Sequence, residues 1–485
     1  MDMNLRSLFV LSVLAWVSQV QAVSLSQNGR GQVLIHPYYT ARGGNDTLFS
    51  VANTTAAGKA VRIRFREGRN SRTVLDFNLY LGPDATWTGA VQLDQSGTPV
   101  LRTWDDGCTT PQFVASAATG ATEIPFTNAN YANYDRAGSG LDRAREGFFE
   151  IIEMGEISRS FTLQTGKNFL AAAMTVAGDC AAIANAWGTG GAFLTSGGTE
   201  LTVPTGGLVG MGMIINVAQG TDYSYDPVAL SGVYSTSRHT APGSASPNLA
   251  DADPHSLILA NDQAYASTWD HGIDAVSAVL MHQTAINEYI TSTPTLDATT
   301  DLVYTFPPKS FYVVRESDTG QATRAPFAAK FDDMAPIGSD TTTGPLLADG
   351  TSTGACEIGA ENRYARSGLQ NYPYPAGDTP TGKPSFGGAC WSACVLSLGN
   401  VLSSSNLIND PPIASTSYYT TFGRIEVSFP PFQFSTRAMV SKEGTKYIGL
   451  PMIGFAVQKY INGNLNGVLA NYGATFTHKY ITLVQ

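Results

Sequence analysis

The chain has 485 residues, a net charge of −10, 43% hydrophobic residues and only 14% charged ones. That length exceeds one ordinary core, and the apolar share excludes wholesale disorder. The acidic balance excludes a general nucleic-acid binder, which needs clustered Lys and Arg to neutralise phosphate, while 49 Gly and 25 Pro favour short strands with many turns over long charged helices.

Residues 1–22 read as a cleavable export signal. An apolar run covers 8–17, and Val20-Gln21-Ala22 offers small residues before a cut at Val23. The run is too short to span a bilayer, so no membrane span is expected after cleavage. A polar lead, 23–30, precedes a strand at 32–39, where Pro37 suggests an edge or a bulge. A second strand covers 46–53. Next, Val61, Ile63 and Phe65 alternate with Arg62, Arg64 and Arg66, and Gly68-Arg69-Asn70 turns the chain. Leu75, Phe77, Leu79 and Leu81 form the following alternation, and Trp87, Gly89, Val91 and Leu93 the one after it. Period-2 patterning bounded by turn residues predicts half-buried antiparallel strands. Repeated strand by strand, it predicts an immunoglobulin-like β-sandwich over 23–105.

The remainder, 106–485, is expected to be a larger β-rich region with few short helices, so the fold class is mainly β. Strands are predicted at 148–154, 208–217, 275–281, 302–306, 311–314, 394–402, 425–429, 453–460 and 475–484. One helix is predicted at 180–187, capped by Asp179 and ended by Gly188. Long Gly/Ser/Thr/Pro loops are expected at 188–207, 236–254, 334–354 and 372–389; loops of this length are often functional.

Several stretches carry a family resemblance. GQVLIHPYYT (31–40), NDTLFSVANTT (45–55), AVRIRFREGRNSRTVLDFNLYLGP (60–83) and ATWTGAV (85–91) resemble a family of uncharacterised secreted or cell-surface proteins of bacteria. EGFFEIIEMGEI (146–157) and GLPMIGFAVQKYINGNLNGVLANYG (449–473) fit the same pattern. The resemblance covers most of the chain. It implies export and a secreted or cell-surface location, with the periplasm as the other destination, and it carries no catalytic residues.

Five cysteines are present: Cys108, Cys180, Cys356, Cys390 and Cys394. In an exported chain they read first as disulfides. Cys108 is expected to pair with Cys180, and Cys356 with Cys394 or Cys390, leaving one over. Cys390-Trp-Ser-Ala-Cys394 is not a zinc CxxC.

The candidate chemistry is sparse. Gly350-Thr351-Ser352-Thr353-Gly354 matches GxSxG, and Asp378 or Asp410 followed by His478 would complete hydrolase order. The flanking residues do not form the strand–elbow–helix that this nucleophile requires. Glu146, Glu150, Glu153 and Glu156 invite a glycosidase carboxylate pair, but on a strand Glu150 and Glu153 point to opposite faces. Asp251, Asp253, His255, Asp270, His271 and Asp274 form a loose cluster without the spacing of a known ligand loop; no metal site is assigned, and calcium is the cation such a loop would take. Arg62, Arg64, Arg66, Arg69 and Arg72 form a basic stripe in an acidic protein. The plain reading is a solvated sheet face neutralised by Glu67 and Asp76. The sharper one is a docking surface for an acidic patch on another copy or for anionic surface polysaccharide. The strand after the polar lead could also insert into a neighbour's sheet.

The expectation is therefore an exported, non-enzymatic structural or cell-surface protein that self-associates, without a cofactor. The alternative is a carbohydrate-binding adhesin that stacks sugars on Tyr38, Tyr39, Tyr131, Tyr134, Tyr372, Tyr374 or Trp391. A secreted hydrolase ranks third.

Overall fold

The alternation becomes two stacked sheets in a computed structural model of the chain. Its described residues are 21–131, 137–174, 179–292, 296–313, 324–327, 357–365, 385–409, 422–429 and 437–485. The first strands, in chain order, are β1 (Ser24–Leu25), β2 (Val33–Thr40), β3 (Asp46–Asn53), β4 (Lys59–Glu67), β5 (Thr73–Leu81), β6 (Thr86–Leu93), β7 (Pro99–Thr103), β8 (Cys108–Thr110), β9 (Val114–Ala115) and β10 (Thr122–Pro125). There follow β11 (Glu146–Ile157), β12 (Leu201–Thr202), β13 (Leu208–Asn216), β14 (Thr221–Tyr225) and β15 (Val228–Ser231). One sheet has the order β1-β15-β2-β11-β4-β5-β8, with β12 beside β11; the other has the order β14-β13-β3-β6-β7-β10-β9.

Between the sheets lies one apolar layer. Val61, Ile63 and Phe65 of β4 and Phe149 and Ile151 of β11 meet Phe49 of β3 and Trp87 of β6. The rings of Phe49, Phe65 and Phe149 sit with centroids 4.5–5.7 Å apart, which adds edge and offset-stacking contacts to their burial.

Residues 23–105 do not close a sandwich alone, so an immunoglobulin-like unit ending there is not confirmed. β11 inserts between β2 and β4, and β13 pairs with β3. The reason is burial: β2, β4 and β11 are buried at nearly every residue. Strands covered on both faces need neighbours on both edges to satisfy their backbone groups. The strand after the polar lead is likewise internal. β11 takes one edge of β2 and β15 the other, while β1 pairs with β15.

The opposite face of the first sheet meets a second core. Val33, Ile35, Phe148, Ile152 and Leu230 pack there with residues from the carboxy-terminal half. That half contains two five-stranded sheets, one built on 284–290 and 422–428, the other on 297–305 and 453–465. Strands at 208–216, 297–305, 422–428 and 453–465 match expectation, and the 475–484 run is split among 468–477, 479–481 and 483–484.

Three short helices, α1 (Phe169–Ala173), α2 (Cys180–Asn185) and α3 (Ala192–Thr195), form a satellite core over β5 and β11. The Asp179 side chain accepts from Ala182 N at 3.0 Å, capping α2 as expected. The disulfide Cys108–Cys180 ties this helix to β8.

Two expected strands are something else. The 275–281 run lies largely in a helix, α4 (Gly272–Val279), whose every residue is buried. Its polar residues, Asp274 and Ser277, are themselves buried against Tyr312, and an apolar run this short does not distinguish helix from strand. Gly272 permits its close approach: a Cβ there would lie 1.9 Å from Ala252 O. The 311–314 run begins in a single 3-10 turn, Lys309–Phe311, entered through Pro307 and Pro308; residue 314 lies outside the described residues.

The expected role of Cys394 is also corrected. It is a free, buried thiol on the strand Ala393–Ser397, opposite Tyr304. Cys390 is the disulfide-bonded one of the two, with a partner outside the described residues, where Cys356 also lies. Trp391, at φ 66°, turns the chain after Cys390, and the Cys394 side chain joins the second core.

Candidate functional site

The basic stripe forms the outer face of β4, opposite Val61, Ile63 and Phe65. It is not a solvated surface: Arg62, Arg64 and Arg66 are buried at 0%, 3% and 8% exposure. Cross-strand neutralisation by Asp76 holds, with Arg62 Nη1 at 3.0 Å and Arg64 Nε at 2.6 Å. Glu67 lends its charge to Arg69 of the stripe. It forms a two-pronged pair with Arg143 at 2.9 and 3.0 Å, and accepts from the backbone N–H groups of Arg69, Asn70 and Arg72. The β4–β5 turn is thus built around one buried carboxylate. Arg66 pairs instead with Glu150 of β11 at 3.1 Å.

The cover over this face is the loop after β15. Arg62 donates to Thr240 O and Ala241 O at 2.8 and 2.9 Å. Arg64 donates to Ser244 O and Pro247 O at 2.7 and 3.0 Å. Asp76 Oδ1 accepts from Gly243 N. Arginine suits this role, because its planar fork satisfies several carbonyls while pairing with a carboxylate. Burial pushes Arg62 down to about 10, and the neighbouring Arg64 charge pushes the same way against Asp76. Burial also lowers Arg66. Arg69 sits over the Trp391 ring, 5.6 Å from its centroid.

Where the loop ends, a cleft of about 630 Å³ opens. Among the described residues its charged lining is Arg64, Arg66, Arg72 and Asp76. Arg66 donates Nε to Glu150 and Nη1 to Ser71 O, and Nη2 makes no hydrogen bond. Ser71, only 4% exposed, also lines the cleft; its Oγ has no partner, nor has Glu150 Oε2. Ser71 holds φ at 58°, a left-handed conformation that costs a non-glycine residue energy and recurs at functional turns. Half-buried Phe311 adds an apolar wall. A larger cavity, about 790 Å³, lies beside β1 and is charged only at Arg30, which donates to Thr54 O; His282 in its wall stays neutral, pushed down to about 3 by burial.

Of the four glutamates, Glu146 and Glu150 each meet a separate arginine, whereas Glu153 and Glu156 converge on one lysine. Glu146 accepts from Tyr38 Oη and Ser404 Oγ at 2.8 and 2.7 Å and meets Arg42 at 3.0 Å. Glu153 faces Lys59 at 2.6 Å, and Glu156 lies 3.6 Å from the same ammonium. A bulge between Glu153 and Gly155 brings both carboxylates to Lys59, an arrangement the three-residue spacing conceals. Each carboxylate already serves a cation, which leaves no free acid–base pair.

Ser352, Asp378 and Asp410 lie outside the described residues. His478 is buried, bonded to Asn287 and to Val303 O, and stacked on Tyr304. The acidic/His cluster is likewise spread out: Asp274 accepts from Tyr312 and Arg324, each at 2.6 Å, Asp251 closes a capping box with Asn248, and Asp270 meets Lys442. Among the described residues no three His, Cys, Asp or Glu side chains converge on a metal position, and no helix is long and apolar enough to cross a membrane. Of the aromatic platforms, Tyr38, Tyr39 and Trp391 are buried, and Tyr131 is covered by Arg143. Tyr134, Tyr372 and Tyr374 lie outside the described residues. The cleft, its unpartnered Ser71 hydroxyl and Phe311 were not visible in sequence, because three distant segments form it. The chain matches no protein-family model, no curated protein and no solved structure.

Proposed function

We propose that the protein is an exported structural or cell-surface protein without catalytic activity, acting as a braced β framework that associates with other copies or with surface polysaccharide. The observation that carries this reading is the Cys108–Cys180 disulfide, which closes a separation of 72 residues. Such bonds persist in oxidising compartments and are rare where thiols are kept reduced. The apolar run at 8–17 and the small residues of Val20-Gln21-Ala22 agree with it. The family resemblance of the β2–β6 stretches points to the same location.

Expression with residues 1–22 present, followed by fractionation and intact mass, tests the proposal. Export predicts a chain beginning at Val23 in the secreted, surface or periplasmic fraction, with Cys108 and Cys180 protected from alkylation. An uncleaved chain with reduced thiols in the cytoplasm would overturn it. The adhesin reading is favoured by one separate observation, the arginine-lined cleft.

A further inference from the structure

We propose that the cleft between the β4–β5 turn, the 243–248 loop and Phe311 binds an anionic saccharide, with the acidic group of the sugar at Arg66 and the ring against Phe311. Three features carry this. First, among the described residues the charged lining is three arginines and one aspartate. Arg62 and Arg64 share the single Asp76 carboxylate and Arg66 has Glu150, so these three guanidiniums meet two carboxylates and keep a net positive charge. A cleft with low-dielectric walls concentrates such a field on its contents.

Second, specific groups await a ligand. Arg66 has Nη2 unused while its other nitrogens are fixed by Glu150 and Ser71 O. The donor is therefore held in place before anything binds. The Ser71 Oγ beside it is shut off from solvent and unpartnered. A buried hydroxyl left unbonded is costly; a sugar hydroxyl or oxyanion would satisfy it. Third, the remaining lining suits a sugar rather than a bare ion. Thr73, Thr127, Asn130 and Ser244 offer short polar groups, and Phe311 an apolar face. The volume, about 630 Å³, falls in the range of small-ligand sites.

The inference rests on the exported reading only for where such a ligand would be met. Binding by the purified protein is independent of localisation, so either can fail without the other. Isothermal titration with digalacturonate, neutral digalactose, a sulfated disaccharide and inorganic sulfate is the test. We expect digalacturonate or the sulfated disaccharide to bind, with affinity falling as salt rises. The neutral sugar should bind at least about tenfold more weakly, in line with loss of a charge-assisted contact. The relative affinity of the two acidic sugars identifies the oxyanion. R66Q combined with E150Q removes both charges together and leaves no stranded carboxylate; it should abolish binding. Should that variant fail to fold, R72Q and F311A at the cleft wall must each weaken binding with the melting temperature kept. Equal binding of neutral and acidic sugars, inorganic sulfate binding as tightly as either sugar, or no binding at all would overturn the proposal.

Discussion

Lys59 and Glu153 meet at 2.6 Å between the two sheets, and neither side chain reaches solvent. Glu153 also accepts from Thr205 N and Gly206 N, so the pair pins the 204–207 segment to the sandwich. Burial raises the Glu153 carboxyl above its usual range against the opposing pull of Lys59. The two partners are not equivalent. Removing Lys59 strands Glu153 with Glu156 nearby, whereas removing the Glu153 charge leaves the ammonium Glu156 at 3.6 Å. Lys59→Met is therefore expected to cost roughly 3–5 kcal/mol, the range for breaking a buried pair, and Glu153→Gln less. A double change to Met and Leu should regain most of the loss. Urea unfolding of the three variants checks this; equal costs for both single variants would refute the role given to Glu156.

Much of this could be read from the residues, and the unreadable part has a physical cause. β3 and β6 each keep a more exposed face, so their apolar alternation survives in sequence. β11 reads as a strand from its bulky apolar run, but not as the strand between β2 and β4. That placement depends on which edges are left unpaired, a property of no single segment. The arginine stripe was visible; its burial was not. Its cover is held by the carbonyl oxygens of Thr240, Ala241, Ser244 and Pro247, and every residue type carries a carbonyl. The Arg66–Glu150 pair joins residues 84 positions apart, and only the β4–β11 register brings them together.

Buried histidines are expected to shape the acid limit of stability, His36, His282 and His478 together with His239, which burial also lowers. His36 is stacked on Phe149 at 4.1 Å with neither ring nitrogen bonded, and burial pushes it down to about 3. His282 falls to about 3 and His478 to about 4, burial again being the main cause. Unfolding returns each to its ordinary value of 6.5. Below that pH the unfolded chain takes up protons that the folded chain refuses. Their contribution is therefore full above 6.5 and declines as pH falls toward 3–4. At about pH 5 the loss is on the order of 2 kcal/mol per histidine. His36→Phe should preserve stability at neutral pH and flatten the acid limb, measured as melting temperature against pH. An unchanged limb would show that His36 is already protonated in the folded state.

Cys394 should be chemically silent in the folded protein. Burial lifts its thiol to about 12, despite the nearby Lys309 charge, and the thiolate is the reactive form. Iodoacetamide at mildly alkaline pH is expected to leave Cys394 unmodified until denaturant is added, as read by peptide mass mapping. The disulfide behaves oppositely. Replacing Cys108 and Cys180 by Ser should lower stability by about 4 kcal/mol, the loop-closure value for a separation of this size. The loss should centre on α1–α3, whose satellite core the bond ties to β8. Native labelling of Cys394, or a double Ser variant as stable as the parent, would contradict these assignments.

The arginine clamp predicts a local response as well as a global one. Arg62 donates Nε to Asn78 at 2.7 Å, pairs with Asp76, and reaches three acceptors on Thr240 and Ala241. Asp76 keeps Arg64 when Arg62 is lost, so no carboxylate is stranded. Arg62→Met should then cost about 2–3 kcal/mol, the scale of charged hydrogen bonds exchanged for an apolar stem. The larger effect is expected in the cover, because residues 240–244 lose the donors that hold their carbonyls. Amide exchange over the 238–248 loop should accelerate well beyond that of β4 and β5 beneath it. Arg62→Lys keeps a charge against Asp76 but cannot bridge Asn78, Thr240 and Ala241 at once. It should therefore retain more global stability than Met while showing nearly the same loop exchange. If Lys restored loop protection fully, the fixed charge rather than the forked geometry of Arg62 would be what closes the loop over the sheet.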